Sequence, residues 1–165
     1  IFWEQNLKQS HTAIQLGPSG TPASLTVDGC TFAGWSLAID AGTKANLDIR
    51  DSGISNCIAA ICFNGTAGMH LTLHSSMISN NTTGVAVYNS AAIDLGTSAV
   101  PGENNFHSNI FTMLYDCRPA NSGAIYAVGN TWNYAFMPAV ADKNTFGGID
   151  FFIVNSGNTI IFSEE

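Results

Sequence analysis

The stretch LTLHSSMISNNTTGVAVYNSAAIDL, residues 71–95, contains one full period of a repeat. It opens with Leu71-Thr72-Leu73, closes with Ile93-Asp94-Leu95, and carries Ile78 and Val85-Ala86-Val87 between them. Each triplet has two apolar residues around a middle residue of the opposite face, which is the period of a β-strand. Polar turn residues separate the apolar positions, so the stretch predicts three short strands per period.

The same pattern extends on both sides of this stretch. One series of triplets begins at residues 25, 47, 71 and 93, and a second begins at residues 14, 37, 61 and 85. A third apolar position lies five residues after the last residue of each of the first three triplets of the first series, at Phe32, Ile54 and Ile78. Stacked periods would form inward columns, which we predict as Leu16, Ile39, Phe63 and Val87; Val27, Ile49, Leu73 and Leu95; and Phe32, Ile54 and Ile78, continued by Phe106 and Trp132.

Three short strands in each 22–24 residues are typical of a β-helix. We therefore predict an all-β, single-domain right-handed parallel β-helix of about five coils, with an insertion near residues 97–103. The domain would span residues 1–165, with coils over 12–132 and segments at 1–11 and 133–165 that either cap the ends or mediate assembly. Asn56 and Asn80 recur at one coil bend, where they would form an asparagine ladder or serve as ordinary turn residues.

Three motifs near the end of the coils carry a family resemblance: Ile93-Asp-Leu-Gly-Thr, Pro101-Gly-Glu-Asn-Asn-Phe106 and Tyr126-Ala-Val-Gly-Asn-Thr-Trp132. Residues 85–132 resemble bacterial right-handed parallel β-helix proteins of the DUF1565 type. The wider coil pattern is similar to that of the NosD-like and pectate-lyase-like repeat families. The resemblance implies an exported protein and supplies no catalytic residues.

Composition narrows the possible partners. The net charge is −7 and only five residues are Lys or Arg, so nucleic acid is a poor partner. The longest apolar runs are too short for a membrane-spanning helix. No Cys or His spacing matches a metal site and no cofactor motif is present, so we expect neither a metal nor a cofactor. Cys30, Cys57, Cys62 and Cys117 are either buried or half-buried thiols or, in a secreted protein, partners in disulfides within or between chains.

One outward face collects the polar residues that are candidates for chemistry: Asp28, Asp48, Arg50, His74 and Asp94. Asp48 and Asp94 would lie two coils apart, about 9–10 Å, which is near the upper limit for an inverting glycosidase. Arg50 would contact a sugar acid. The alternative is a solvated face in which Asp28 and Arg50 form a cross-strand ion pair.

The sequence marks no active site, so a structural role is preferred to an enzymatic one. We expect an exported β-solenoid that forms an extracellular or cell-surface assembly by self-association through its ends, because a solenoid exposes unpaired strand edges there. The alternative is a carbohydrate-binding or polysaccharide-cleaving β-helix protein, with a polysaccharide as partner. The candidates for assembly are the apolar residues near both termini: Ile1, Phe2, Trp3, Phe151, Phe152, Ile160, Ile161 and Phe162.

Overall fold

The computed structural model describes residues 11–17, 21–133, 140–142 and 151–163. All regular structure in these ranges is β. The strands are β1 (Thr12–Leu16), β2 (Ala23–Asp28), β3 (Thr31–Ala33), β4 (Leu37–Ala41), β5 (Ala45–Arg50), β6 (Gly53–Ser55), β7 (Ala59–Phe63), β8 (His70–His74), β9 (Met77–Ser79), β10 (Thr83–Val87), β11 (Ala92–Asp94), β12 (Asn105–His107), β13 (Thr112–Asp116), β14 (Ala124–Tyr126), β15 (Val140–Asp142), β16 (Phe151–Ile153) and β17 (Thr159–Ile161).

Every third strand joins the same sheet, as the repeat predicts. Sheet A has the order β1-β4-β7-β10-β13-β16, sheet B the order β15-β17-β14-β11-β8-β5-β2, and sheet C the order β12-β9-β6-β3. All pairings are parallel except that of β15 with β17. The protein is therefore a parallel β-solenoid with three sheets around one core.

The stack contains about four complete turns rather than the five predicted. Four successive turns contribute a strand to each sheet, from β1–β3 to β10–β12. The fifth turn has β13 and β14, but its third side is reduced to a single bridge from Thr131 to Asn105. The aromatic column continues across that bridge, because Trp132 stacks on Phe106 with ring centroids 4.4 Å apart.

The predicted columns of sheets B and C are confirmed, whereas that of sheet A is displaced at one strand. In sheet A, Ile39 pairs with Ile14 and Ile61, and Ala41 pairs with Leu16 and Phe63. The prediction had placed Ile39 beside Leu16 and Phe63, two residues out of register. A two-residue displacement leaves every side chain on its original face, so an apolar pattern at residues 37, 39 and 41 does not distinguish the two registers.

Residues with a left-handed backbone conformation recur at the turns between sheets. Between sheets C and A, a residue with positive φ stands in each turn: Gly34, Asn56, Asn80 and Ser108. Asn56 and Asn80 are exposed and serve as these left-handed turn residues, so the asparagine ladder predicted for them is wrong. Asn commonly adopts this conformation because its short polar side chain bonds locally.

The asparagine ladder lies one residue further along the chain. The Asn81 side chain accepts a hydrogen bond from the Cys57 backbone N–H (2.9 Å) and donates to Asn109 Oδ1 (3.0 Å) and to the Ile54 carbonyl (3.1 Å). Asn109 in turn accepts from the Asn81 backbone N–H. Asn81 is fully buried, so its amide satisfies backbone groups that water does not reach.

A second ladder lies between sheets B and C, and its side chains change from the shorter Cys and Ser to the longer Asn along the stack. Cys30, Ser52, Ser76, Asn104 and Asn130 occupy equivalent positions. In each step the backbone N–H of one residue donates to the side chain of the next, as from Ser76 N–H to Asn104 Oδ1 (3.0 Å). Corner side chains of both ladders therefore connect each coil to its neighbour.

The insertion leaves the stack undisturbed. Residues 97–101 loop out, and Gly102 resumes the ladder by donating to the Val128 carbonyl while its own carbonyl accepts from the Ser75 N–H. A Cβ at Gly102 would lie 1.8 Å from the Leu95 carbonyl oxygen. Only glycine therefore permits the two ends of the loop to approach this closely.

Asn81→Ala should lower the free energy of unfolding by about 2–3 kcal/mol, because it leaves the buried Cys57 N–H without its acceptor. Asn80→Gly is the matched control and should change the stability by less than about 1 kcal/mol, since glycine accepts the left-handed conformation. Urea denaturation followed by circular dichroism measures both. Equal effects of the two substitutions would show that the buried ladder does not stabilise the corner.

Candidate functional site

The polar candidates predicted from the sequence meet on the outer face of sheet B. Asp28, Arg50 and His74 pair in register along one column. Asp48, Thr72 and Asp94 form the adjacent column, which Tyr126 extends. The placement follows from the strand period, because residues 26, 48, 72 and 94 are the outward middle residues of their triplets.

The contacts between charged or titratable side chains on this face run along a strand, from Arg50 to Asp48, and diagonally, from His74 to Asp94, rather than between Asp28 and Arg50. Arg50 Nε donates to Asp48 Oδ1 (3.1 Å), and this contact raises the pKa of the Arg50 guanidinium. His74 Nε2 lies 3.6 Å from Asp94 Oδ1, which also accepts the Gly96 N–H at 2.8 Å. Asp48 and Asp94 each have a partner already, and Thr72 stands between them in the column. Their role as a carbohydrate-cleaving pair stays a prediction.

A different face carries the exposed aromatic side chains. Phe111, Tyr115 and Phe152 lie together on the outer side of sheet A, with ring centroids 5.3 Å apart for Tyr115 and Phe152 and 6.2 Å apart for Phe111 and Tyr115. Phe111 is 54% exposed and Phe152 is 38% exposed. These three adjoining rings form one solvent-exposed apolar cluster, which makes the outer face of sheet A a candidate binding surface.

A groove of about 360 Å³ leads away from this aromatic cluster across sheet A. Small side chains, Ala59, Cys62 and Ala86, lie along it, and it runs from Leu37 on β4 to Phe111 and Tyr115 beside and on β13. Trp35, 39% exposed, lines an adjoining depression that shares Ser36 with the groove. The groove therefore crosses strands along the solenoid axis.

Phenols and thiols line one side of this groove. A hydrogen bond with the Cys117 side chain, with burial as a lesser cause, raises the pKa of Tyr115 to about 12. Burial also raises the pKa of the Cys62 and Cys117 thiols and of Tyr88. These groups are therefore neutral near pH 7, and the thiols are poor nucleophiles. All four cysteines are free thiols, which leaves the disulfide alternative without support.

Sheet A also contains a charged pair in its core. Asp116 occupies the inward column after Val87, and Arg118 binds it through Nε–Oδ1 and Nη2–Oδ2 contacts of 3.0 Å. Arg118 Nη2 also donates to the Gly123 carbonyl. Both side chains are buried, so this pair orders the turn at 117–123 and is not available to a ligand.

The terminal residues predicted to mediate assembly have different environments. Phe151, Ile160 and Phe162 are buried in the core, and Phe151 and Phe162 pack their rings against Trp132. Ile161 is half-buried and Phe152 is exposed on sheet A. Ile1, Phe2 and Trp3 lie outside the described residues. Assembly through these residues stays a prediction.

The described residues contain neither a metal-binding cluster nor a membrane-spanning helix. They contain no cluster of three or more His, Cys, Asp or Glu side chains able to hold a metal ion. Among the same residues, no helix has the length and apolar character needed to cross a bilayer.

The aromatic cluster was missed by the sequence prediction for two different reasons. Tyr115 is outward by the strand period, because it pairs with Ala86, the middle residue of a recognised triplet. The outward position of Tyr115 could therefore have been predicted from the sequence. Phe152 follows 37 residues later, outside the regular repeat, and only the pairing of β13 with β16 places it beside Tyr115.

The fold and its outer faces define a parallel β-helix protein with one charged face and one aromatic face. The family described as "Protein of unknown function (DUF1565)" matches residues 23–139, which cover most of the chain. The chain belongs to this family, as the motifs between Ile93 and Trp132 predicted. Searches of curated proteins and of solved structures give no match.

Spectrophotometric titration of the tyrosines should reveal one phenol with a pKa near 12. Cys117→Ala removes the first cause of the raised pKa, so that phenol should then ionise at lower pH. Cys30→Ala, at an exposed position outside sheet A, is the control and should leave the titration unchanged. An unchanged high pKa in the Cys117 variant would contradict the assigned contact.

Proposed function

We propose that the protein is an exported, non-catalytic β-helix that binds carbohydrate on the outer face of sheet A. The exposed cluster of Phe111, Tyr115 and Phe152 carries this proposal. Sugar rings present C–H groups on their faces, which pack on aromatic rings, while their hydroxyls bond to nearby polar groups. The groove offers this combination, since Thr83, Tyr88 and Ser36 line it together with apolar side chains.

The size of the surface favours a carbohydrate over a protein partner. From β4 to β16 the face spans four strand steps, about 19 Å, and a strip three residues wide adds about 10 Å. The resulting area, about 190 Å², is far below the roughly 800 Å² that each partner buries in a standard protein interface. A low content of charged residues and corners rich in Asn, Ser and Gly support an exported, surface-located protein.

Phe111→Ala and Phe152→Ala should each weaken polysaccharide binding about tenfold or more, by loss of stacking and apolar contact. Met77→Ala, an exposed apolar position on sheet C, is the matched control and should bind normally. Tyr126→Ala tests the sheet B face in the same way. Affinity electrophoresis against a polysaccharide panel, with melting temperatures for each variant, provides the measurement.

Failure of every polysaccharide to bind would refute the proposal, and so would equal binding by all four variants. Loss of binding in Tyr126→Ala alone would instead locate the site on sheet B. Release of reducing ends during incubation, abolished by Asp48→Asn, would favour the polysaccharide-cleaving alternative.

The end of the stack supports a second candidate, a structural subunit that self-associates. Among the described strands, β1, β2 and β3 are the edges of their sheets, and Leu25 and Phe32 are only partly buried there. Their equivalents in the next coil, Leu47 and Ile54, are fully buried. At the opposite end, antiparallel β15 pairs with the outer edge of β17, so among the described strands the edges at β1, β2 and β3 favour association at the N-terminal end.

Under this candidate, light scattering after size exclusion should show a mass that rises with concentration above 17.4 kDa. Leu25→Lys should reduce that mass because it places a charge among the partly buried residues of the first described coil. Thr66→Lys, at an exposed corner, should leave it unchanged. A monomer at all concentrations would exclude assembly and leave the carbohydrate proposal intact.

A further inference from the structure

None of the described residues that line the groove on sheet A offers a positive charge to an acidic ligand. Its lining includes Leu37, Ala59, Cys62, Thr83, Ala86 and Tyr88, all uncharged near neutral pH. Asp40 pairs in register with Cys62 on the same outward column. A polyanion in the groove would therefore meet the Asp40 carboxylate, and the described lining residues include no base to compensate it.

Of the three Lys and Arg residues in the described part of the chain, both arginines are paired elsewhere, and Lys44 lies exposed in the turn between β4 and β5, outside the groove lining. Arg118 is buried against Asp116, and Arg50 binds Asp48 on sheet B. The net charge of −7 adds a long-range repulsion for anionic polymers. Uncharged hydroxyl groups remain as the polar contacts of the groove, and the Tyr115 hydroxyl stays protonated up to high pH because its pKa is raised to about 12.

The length of the groove sets the size of the ligand. It extends from Leu37 in the second coil to Tyr115 in the fifth, which is three strand steps or about 14 Å. A pyranose ring in an extended chain advances by nearly the same distance as one strand step. The groove therefore accommodates about three consecutive rings along the solenoid axis.

We propose, on the basis of the carbohydrate-binding function above, that the sheet A groove binds an uncharged polysaccharide through about three consecutive sugar rings that lie across the strands. The ring nearest β13 would contact Phe111 and Tyr115. Small side chains at Ala59, Cys62 and Ala86 permit the chain to approach the sheet closely.

Isothermal titration calorimetry with oligosaccharides of two to six units tests both the charge and the length. The neutral series are cello-, xylo- and chito-oligosaccharides, and the acidic series is oligogalacturonate. For at least one neutral series, affinity should rise about threefold to tenfold with each added unit up to three or four units and then level off. The acidic series should bind at least about tenfold more weakly than that neutral series.

Thr83→Lys places a cation in the groove and should narrow the difference between acidic and neutral oligomers, whereas Thr72→Lys on sheet B should not. Equal or tighter binding of oligogalacturonate by the native protein would overturn the charge assignment while leaving carbohydrate binding on sheet A in place. Affinity that still rises from four to six units would overturn the groove length. Absence of binding by every oligosaccharide and by the polysaccharide panel would refute the proposed function itself.

Discussion

Each coil depends on the next for the hydrogen-bond partners of its corners, where the chain leaves one sheet and enters another. Strand backbones pair with their equivalents above and below, as any parallel ladder does. At a corner the chain turns through a left-handed residue, and the following backbone N–H points along the stack with no strand to receive it. Side chains supply the missing acceptors at two of the corners. They are Asn81 and Asn109 between sheets C and A, and the ladder from Ser52 to Asn130 between sheets B and C. Because an unpaired buried N–H costs about 1–3 kcal/mol, these side chains specify where each corner forms.

The corner between sheets C and A also sets the register of the strands that follow it. In sheet A the strands of three successive coils begin three residues after Gly34, Asn56 and Asn80, and their pairing follows that offset. The register of the strands then determines which apolar side chains stack in the core. The inward acid Asp116 is tolerated because Arg118 neutralises it and also donates to the Gly123 carbonyl in the turn that follows. Beyond that turn Trp132, Phe151 and Phe162 close the core with packed rings.

The regular stack also gives the molecule faces of different chemistry. Side chains in outward columns are about 4.8 Å apart, so a few substitutions change the character of a whole face. Sheet B places acids and bases within reach of one another, and they pair among themselves. Sheet A places small residues in the middle coils and aromatic residues in the later ones, which leaves a groove with rings at one end. These differences explain why the two faces support different proposals on one scaffold.

The sequence by itself determined the solenoid, the three strands of each coil, the columns of sheets B and C, and the membership of the charged face. These features repeat at short range, and a period of two along each strand is enough to assign their sides. The tertiary structure alone decided the register of β4, the identity of the ladder asparagines and the proximity of Phe152 to Tyr115. In the first case two registers bury the same face, and in the second adjacent asparagines differ only in which one turns inward. In the third, two aromatic residues distant in the chain meet because the final coil stacks on the fifth, a contact that no local pattern encodes.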